Sequence, residues 1–376
     1  MKKITFLMLH LNYGGIEKQV TTLANNLVSD YEVEIISLYD IVESKSFYKL
    51  DDRIKVKFIF PYGPNREELK NNLSKFNIKG LFREIKKGIK MIYMKYFGLK
   101  KVIQNINTDI LISSRIEFSK QITRDDIITI SQEHSYINDP KYLKKCKKAF
   151  KNIDYLVVMT KQAKELYIKW LEKYNLNTKV VVIPNMIDKN TTGEISSLDN
   201  GQMISIGRLE EVKDFKTLII MFSAIIKYHG MTLKIIGEGS QRQELEELIK
   251  KYELEKSVIL TGRLDSDKIK EELLKSDIFV LTSKSESFSL ALCEAMNYGV
   301  PCVAFDVDVG PREIIDNEKT GFIVPDRNIS AMSKRIDELL NSKELRVKIG
   351  KEAHEKVARY YPENVVKMWY EIFKNK

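Results

Sequence analysis

The chain has 376 residues, of which 43% are hydrophobic and 30% are charged. That composition excludes a disordered chain, and the length exceeds what one hydrophobic core normally reaches, so we expect two domains. Cys146, Cys293 and Cys302 form no closely spaced pair, which argues against a disulfide framework and favours a reducing compartment. The apolar run before His10 is too short for a signal peptide, and no stretch approaches the roughly 20 apolar residues of a membrane span. We therefore predict a cytoplasmic protein.

The first half of the chain alternates short apolar runs with helical or polar stretches, which is typical of a parallel sheet. The first run leads into Gly14-Gly15 and then into a helix with one apolar face, as at the start of a nucleotide-binding unit. The predicted strands cover residues 4–9, 33–38, 53–60, 109–112, 127–131, 155–159 and 180–183.

A polar stretch up to Gly201 predicts a domain boundary, and a second alternation follows it. Doubly wound sheets bind ligands outside the carboxyl ends of their strands, so with two such domains we expect the ligand in a cleft between them. The predicted strands are 203–206, 233–236, 258–261, 278–281, 302–305 and 322–324, and the predicted helices are 215–228, 242–252, 267–275 and 289–297, with two more helical stretches broken near Pro362.

The net charge of +10 is concentrated in residues 70–101, where ten Lys or Arg residues stand against the single acid Glu84. Apolar residues recur there at helical spacing, and a basic amphipathic helix suits the surface of an anionic membrane. The alternative is a helix packed on the core with a solvated basic back. A nucleic-acid-binding protein is a third hypothesis, but charge without a reading module supports only non-specific binding, so we predict no specific nucleic-acid partner.

Two carboxylates, Glu286 and Glu294, stand eight positions apart, a little over two helical turns. If a helix begins directly after Glu286, the backbone N–H groups of Ser287, Phe288 and Ser289 face an anion at its mouth. Glu294 then lies on the same side, within reach of a pair of hydroxyls. The alternative interpretation is an ordinary amphipathic helix with two solvated glutamates.

The segment Gly207-Arg208-Leu209-Glu210-Glu211-Val212-Lys213-Asp214, the Glu-x7-Glu spacing at 286 and 294 and the strand leading into Gly14-Gly15 together resemble the retaining family 4 glycosyltransferases of bacterial cell-surface polysaccharide synthesis. The resemblance implies the GT-B fold, an α/β architecture of two Rossmann-like, doubly wound domains facing each other across a cleft. It also implies an acceptor-binding domain of residues 1–184 plus about 361–376, a nucleotide-sugar-binding domain of residues 185–360, and a last helix that returns to the first domain.

The same resemblance implies transfer of a hexose or N-acetylhexosamine, with retention of configuration, from a nucleotide sugar to a lipid-linked or cell-surface glycan. A UDP-sugar is the expected donor, and the enzyme is expected on the inner face of the membrane, held there by residues 70–101. A transferase acting on a soluble small acceptor is the alternative. Ser287 and Ser289 stand where the family pattern is richer in glycine, so the resemblance does not give the identity of the sugar.

Residue roles follow from the resemblance position by position. Arg208 and Lys213 would hold the diphosphate, whose charge grows as the glycosidic bond breaks. Glu294 would bond the ribose hydroxyls, Glu286 would lie near the donor sugar, and His134 would contact that sugar near its anomeric carbon. The predicted catalytic residues are His134, Arg208, Lys213 and Glu286, and the predicted donor-binding residues are Gly14, Gly15, Gly207, Gly237, Arg263, Ser287, Phe288, Ser289, Leu290 and Glu294.

The sequence offers no obvious nucleophile for a double displacement. The family is thought to react by front-face attack, in which the leaving phosphate oxygen accepts the proton of the acceptor hydroxyl while the protein supplies position and charge. Asp306-Val307-Asp308 has the letters of a metal motif but lies where the family has a donor-sugar loop. We therefore predict no metal requirement and no cofactor beyond the nucleotide sugar as co-substrate.

Overall fold

The computed structural model describes residues 1–41, 46–63, 66–94 and 98–374. The chain folds into two units. The first contains Met1–Met186 together with the residues from Val366 onward, and the second contains Ile187–Val365. The assignment of acceptor binding to the first unit and donor binding to the second stays a prediction.

The first unit is a doubly wound sheet of seven parallel strands in the order β3-β2-β1-β4-β5-β6-β7. The order reverses between β1 and β4, which makes that place the topological switch point. Its elements are β1 Lys3–Met8, α1 Gly15–Leu27, β2 Glu32–Tyr39, β3 Lys55–Phe60, α2 Arg66–Ser74, α3 Ile78–Tyr93, α4 Leu99–Gln104, β4 Ile110–Ser113, α5 Ile116–Ser119, β5 Ile128–Glu133, α6 Pro140–Phe150, β6 Tyr155–Val158, α7 Lys161–Lys173 and β7 Lys179–Val182.

The second unit is a sheet of six parallel strands in the order β10-β9-β8-β11-β12-β13, with its switch point between β8 and β11. Short 3-10 helices cover Glu211–Lys213 and Ala358–Tyr360. Its other elements are β8 Gln202–Ile206, α8 Phe215–His229, β9 Thr232–Ile236, α9 Arg242–Lys251, β10 Val258–Gly262, α10 Ser266–Leu274, β11 Ile278–Leu281, α11 Leu290–Asn297, β12 Cys302–Asp306, α12 Pro311–Ile314, β13 Phe322–Pro325, α13 Ile329–Asn341 and α14 Lys343–Val357.

The last helix, α15 Pro362–Phe373, begins in the second unit and continues in the first. Trp369, Ile372 and Phe373 are buried, and the Phe373 ring lies edge-on to Tyr31 at 5.5 Å. The hydroxyl of Tyr370 also donates to Asp30 at 2.6 Å. The predicted return of the C-terminal helix to the N-terminal region is therefore confirmed, as is the pair of parallel α/β sheets.

Polar residues set where several helices begin. Thr160, Asp265 and Asn328 precede α7, α10 and α13, and each side chain accepts a hydrogen bond from a backbone N–H of the first turn. Such caps satisfy donors that the helix itself leaves without a partner.

Among the described residues, no helix combines the length and the apolar character needed to cross a membrane.

Candidate active site

The carboxyl ends of β8 and β11 lie side by side at the switch point of the second unit. These strands are parallel neighbours, with Met203 opposite Ile278. The segment Gly207–Asp214 follows β8 and the segment Thr282–Ser289 follows β11. Because parallel strands end at the same edge of a sheet, the fold brings together two segments that are about 70 residues apart in the chain.

An ion pair joins these two segments. Nζ of Lys213 lies 2.6 Å from Oε1 of Glu286, and the hydroxyl of Ser283 donates to the same oxygen at 2.6 Å. The side chain of Glu286 is only 7% exposed, whereas that of Lys213 is 21% exposed. The lysine therefore holds a buried carboxylate and still presents part of its surface at the strand edge.

Arg327, two residues after β13, ties both segments together. Its guanidinium binds the carboxylate of Asp214 and donates to the carbonyl oxygen of Ser283 at 2.6 Å. Asp214 has a left-handed backbone, with φ of 50°. The hydroxyl of Thr282 closes the network by donating to the Lys213 carbonyl at 3.1 Å. Arg327 thus fixes the backbones that carry Lys213 and Glu286. It was not predicted from the sequence, and its place just after a strand is the one signal that could have found it.

The helix predicted over residues 289–297 is present, but the condition that it begin directly after Glu286 is not met. Helix α11 begins at Leu290, and Ser289 before it has φ of 64° and ψ of 76°. That left-handed residue interrupts the helical path, so Glu286 lies in the preceding loop and does not share a helical face with Glu294. Glu294 itself lies on α11 and is partly exposed.

The loop before α11 offers its backbone and the hydroxyls of Ser287, which is half-buried, and Ser289. The Phe288 side chain is 2% exposed and packs edge-on against Tyr360 at 5.1 Å, so it belongs to the core. The Ser289 hydroxyl oxygen is buried and has no hydrogen-bond partner in the described part of the chain. A buried polar atom at a helix mouth, beside the N–H groups of the first turn, is suited to a ligand oxygen.

Glycines bring the turns after β8, β9 and β10 into backbone contact. The N–H of Gly237 donates to the carbonyl of Gly262 at 2.9 Å, and a Cβ added to Gly237 would lie 1.8 Å from the carbonyl oxygen of Gly207. Only glycine permits so close an approach. Arg208 and Arg263 follow two of these turns, and both are exposed at this edge.

In the first unit, polar side chains collect at the carboxyl ends of β1, β4 and β5. His10 follows β1, Arg115 follows β4 and His134 follows β5. Burial, and then the guanidinium of Arg115, lower the pKa of His134 to about 4, so its imidazole is neutral at pH 7. Nε2 of His134 is buried without a hydrogen-bond partner among the described residues. His134 was predicted from the sequence, whereas His10 and Arg115 were not, although each lies just after a strand.

Two carboxylates, those of Glu133 and Glu17, contact neighbouring groups at the carboxyl ends of β5 and β1. Glu133 accepts hydrogen bonds from the Ser135 N–H at 3.1 Å and the Tyr142 hydroxyl at 2.6 Å, and burial raises its pKa. Glu17 lies 3.4 Å from Nδ1 of His10, and a Cβ added to Gly14 would come within 2.0 Å of the Glu17 carboxylate. A side chain at Gly14 would therefore displace the end of the Glu17 side chain, whereas Gly15 has open space around it.

The lowered pKa of His134 predicts a pH-dependent contribution to stability. Between its ordinary value of 6.5 and about 4, the unfolded chain binds a proton that the folded chain does not, so the free energy of unfolding falls as pH falls through that window. We expect His134→Asn to lose less stability than the wild type between pH 6.5 and pH 4 in denaturant titrations. Glu133 acts in the opposite direction but is present in both proteins. Equal losses would contradict the burial of a neutral His134.

Within the described ranges, no group of three or more His, Cys, Asp or Glu side chains could hold a metal ion. In the Asp306-Val307-Asp308 segment, the carboxylate of Asp306 is bound by the guanidinium of Arg312. The absence of a metal requirement stays a prediction.

Comparison with known proteins finds a family match in the second unit. Residues 187–356 match the model of the family described as glycosyl transferases group 1. The match lies within the second unit and spans less than half of the chain, so the second unit is similar to this family of glycosyltransferases. The match covers the segments after β8 and β11 and thus includes Lys213, Glu286 and Glu294.

Two relatives and one solved structure match over nearly the whole chain. It is 29% identical to an exopolysaccharide phosphotransferase of Streptomyces coelicolor over 99% of the chain, but it spans only 40% of that protein. It is 24% identical to an undecaprenol-PP-glycan α-1,4-N-acetyl-D-galactosaminyltransferase of Campylobacter jejuni over 99% of this chain and 98% of the relative. The structure of a point mutant of S. aureus TarM in complex with Fondaparinux, α-GlcNAc-glycerol and UDP has a TM-score of 0.76 at 18% identity, and the match covers 100% of both chains. The fold is GT-B.

Proposed function

We propose that this protein is a glycosyltransferase that moves a hexose or N-acetylhexosamine from a UDP-sugar to a lipid-linked or cell-surface glycan, with retention of configuration and without a metal. The observation that carries the proposal is the ion pair of Lys213 and Glu286 at the switch point of the second unit. Ligands of doubly wound sheets bind at such a point.

The charges at this edge suit a nucleotide diphosphate. Lys213 has three donors and uses one on Glu286, so its ammonium has capacity for a phosphate oxygen. Arg208 is exposed on the turn after β8 and adds a planar fork that matches phosphate geometry. Cations fixed here stabilise the transition state more than the ground state, because the departing diphosphate gains charge as the bond to the sugar breaks.

The remaining predicted residues of the second unit are assigned around that diphosphate, and His134 of the first unit keeps its predicted role toward the sugar. The Ser289 hydroxyl and the first-turn N–H groups of α11 bind donor oxygens, and Glu294 bonds the ribose hydroxyls. His134, neutral at pH 7, contacts the sugar as a hydrogen-bonding group. With no nucleophile assigned, the leaving phosphate oxygen takes the proton of the attacking acceptor hydroxyl on the same face of the sugar.

One similar structure and one relative support the proposed donor and acceptor. UDP is bound in the TarM complex, and the Campylobacter enzyme is named for an undecaprenol-linked glycan acceptor. An acceptor with a polyprenol tail lies in a membrane, so an enzyme that uses it must work at the membrane surface.

Helix α3 presents an exposed apolar and basic surface that is suited to membrane binding. Its apolar side chains point into solvent at i, i+4, i+7, i+11 and i+14, and each is between 45% and 79% exposed: Ile78, Phe82, Ile85, Ile89 and Ile92. These exposures favour a surface helix over one whose apolar stripe packs on the core, although Met91 on another side of α3 does pack against the core of the first unit. A basic row runs beside this stripe, formed by Lys79, Arg83, Lys86 and Lys90. Residues 95–97 of the predicted basic segment lie outside the described residues.

We propose that the occupant of this face is an anionic membrane, placing the enzyme on the cytoplasmic side of the bilayer. An exposed apolar stripe flanked by cations inserts into the headgroup region while its charges meet anionic lipid. A symmetric contact with a second copy would bring two rows of cations together, which is unfavourable.

We expect the double variant Ile85→Glu/Ile89→Glu to bind vesicles containing phosphatidylglycerol about tenfold more weakly or worse, because two exposed isoleucines no longer enter the bilayer. Co-sedimentation with anionic and with neutral vesicles measures this. Ile220→Glu is the matched control, since Ile220 is an isoleucine 41% exposed on helix α8. Equal binding by all three proteins, or a change in oligomeric state alone, would contradict membrane docking.

The proposed donor is tested by thermal unfolding with UDP, GDP, ADP and their common sugars. A ligand that binds only the folded chain raises its melting temperature, so we expect a shift with the uridine nucleotides and not with the others. A shift with another base alone would contradict the UDP assignment. No shift with any of them would contradict a nucleotide-sugar site altogether.

Glu294→Ala is expected to weaken UDP binding about tenfold or more and to abolish most transfer, because hydrogen bonds from hydroxyls to a carboxylate are lost. Titration calorimetry with UDP measures the first effect. Glu271→Ala, which removes an exposed glutamate from helix α10 of the same unit, should bind UDP as the wild type does. Wild-type affinity in Glu294→Ala would remove Glu294 from the donor site.

A further inference from the structure

Three aromatic side chains form an exposed cluster in the first unit. The ring of Tyr13 lies edge-on to Phe47 at 5.3 Å and stacked on Tyr48 at 6.3 Å, and Phe47 lies edge-on to Tyr48 at 5.1 Å. Tyr13 is 51% exposed and Phe47 is 58% exposed. These two rings contact each other and yet keep half of their surface in water, which is unusual for residues that bury well.

The cluster is attached to the switch point of its sheet. Tyr13 immediately precedes Gly14-Gly15 in the turn between β1 and α1. The N–H of Phe47 donates to the Leu11 carbonyl at 2.8 Å, and the Tyr48 hydroxyl is hydrogen-bonded to the Gly14 backbone. The aromatic rings are thus held by backbone contacts to the turn that leads from β1, at the edge where doubly wound sheets bind ligands.

Exposed aromatic rings at a ligand-binding edge are suited to sugars. One face of a pyranose ring presents several C–H groups, and the negative face of an aromatic ring attracts those weakly positive hydrogens while both surfaces leave water. Polar groups beside the rings can bond the sugar's hydroxyls: the Asn12 side chain accepts from the Tyr13 N–H at 2.8 Å, and the His10 and Glu17 side chains lie 3.4 Å apart at the end of β1.

We propose that Tyr13 and Phe47 form the stacking surface for a pyranose ring of the acceptor glycan. The inference rests on the proposed glycosyltransferase function and adds to it the place and chemistry of an acceptor subsite, which neither the predicted donor residues nor the basic helix α3 provides. A lipid surface suits this cluster less well than a sugar, because the cluster exposes two rings and not an apolar stripe that runs the length of a helix as on α3.

The test uses saturation-transfer NMR with the methyl α-glycosides of glucose, galactose, N-acetylglucosamine and N-acetylgalactosamine. We expect at least one glycoside to receive saturation at its ring C–H protons from the wild-type chain. In Tyr13→Ala/Phe47→Ala that transfer should fall about tenfold, because two stacking surfaces are removed together. Tyr252→Ala, which removes an exposed ring at the end of helix α9 in the second unit, should leave the transfer unchanged. Tyr13→Phe should keep most of it, since the ring face remains.

The melting temperature with and without UDP is measured on the same proteins. It shows that the double variant folds, and it separates this inference from the donor site. A wild-type chain with a UDP shift but no saturation transfer to any glycoside, or equal transfer to the double variant, would overturn the subsite and leave the donor site standing. Loss of the UDP shift in the double variant would also overturn it, because the rings would then stack on the nucleotide base. A wild-type chain with no UDP shift would contradict the proposed function instead.

Discussion

Lys213→Ala is expected to abolish nearly all glycosyl transfer while the chain stays folded. The substitution removes the cation that faces the departing diphosphate, and losing one such electrostatic contact costs about 10²–10³-fold in turnover. It also leaves the buried Glu286 carboxylate with the Ser283 hydroxyl but without the cation. Because Lys213 is 21% exposed, water replaces part of the lost contact, and the free energy of unfolding should fall by less than about 3 kcal/mol.

The measurement is steady-state transfer from a UDP-sugar, with a denaturant titration to follow stability. Lys216→Ala is the matched control, because Lys216 pairs with Glu244 at the surface three residues further on. Removing an exposed ion pair of that kind changes stability little and should leave turnover unchanged. Near-wild-type turnover in Lys213→Ala would take this lysine out of the mechanism.

Much of the fold could be predicted because parallel sheets leave a strong local pattern. Each strand is a short apolar run, and the residues that follow it must lie at one edge of the sheet. That rule places the Lys213 segment and the Glu286 segment at the same edge, since one comes after β8 and the other after β11. That β8 and β11 are neighbours is seen only in the folded chain. The hydrogen bond between Lys213 and Glu286 could not be predicted, because the reach of two side chains depends on backbone detail.

The start of α11 shows where local pattern is insufficient. The run between Glu286 and Glu294 is apolar and helix-favouring, and the helix predicted from residue 289 begins at Leu290, but Ser289 before it has a left-handed backbone that leaves Glu286 outside the helical path. A serine at φ of 64° has no sequence signature, since glycine is the residue that normally marks such positions. Arg327 was missed for a related reason. Its partner Asp214 is 113 residues away, and no periodicity connects them.

Helix α3 marks a third limit. The spacing of its apolar residues predicts an amphipathic helix correctly, but the same pattern serves a helix packed on a core and a helix lying on a membrane. The two differ in exposure, which only the folded chain shows. Phe82 is 71% exposed and Ile89 is 63% exposed, whereas Glu84 on the opposite side is buried.

Gly237→Ala is expected to cause a larger loss of stability than Lys213→Ala. The new Cβ would lie 1.8 Å from the carbonyl oxygen of Gly207, which is backbone and cannot rotate away, and the φ of Gly237 is 148°. The turns after β8 and β9 would have to separate, so we expect a loss of about 3 kcal/mol or more, together with weaker UDP binding as Arg208 moves with its turn.

Gly193→Ala is the control that separates the effect of the steric clash on stability from the effect of backbone strain. Gly193 also has a positive φ, of 69°, but a Cβ there meets no atom within 4 Å. Its substitution should cost only about 1 kcal/mol, the strain of a left-handed alanine. Urea titrations of both variants give the two free energies of unfolding, and melting temperatures with UDP give the effect on binding. Equal losses would mean that the turns can separate without cost. In that case the contact between Gly207 and Gly237 would not be what holds Arg208 at the strand edge.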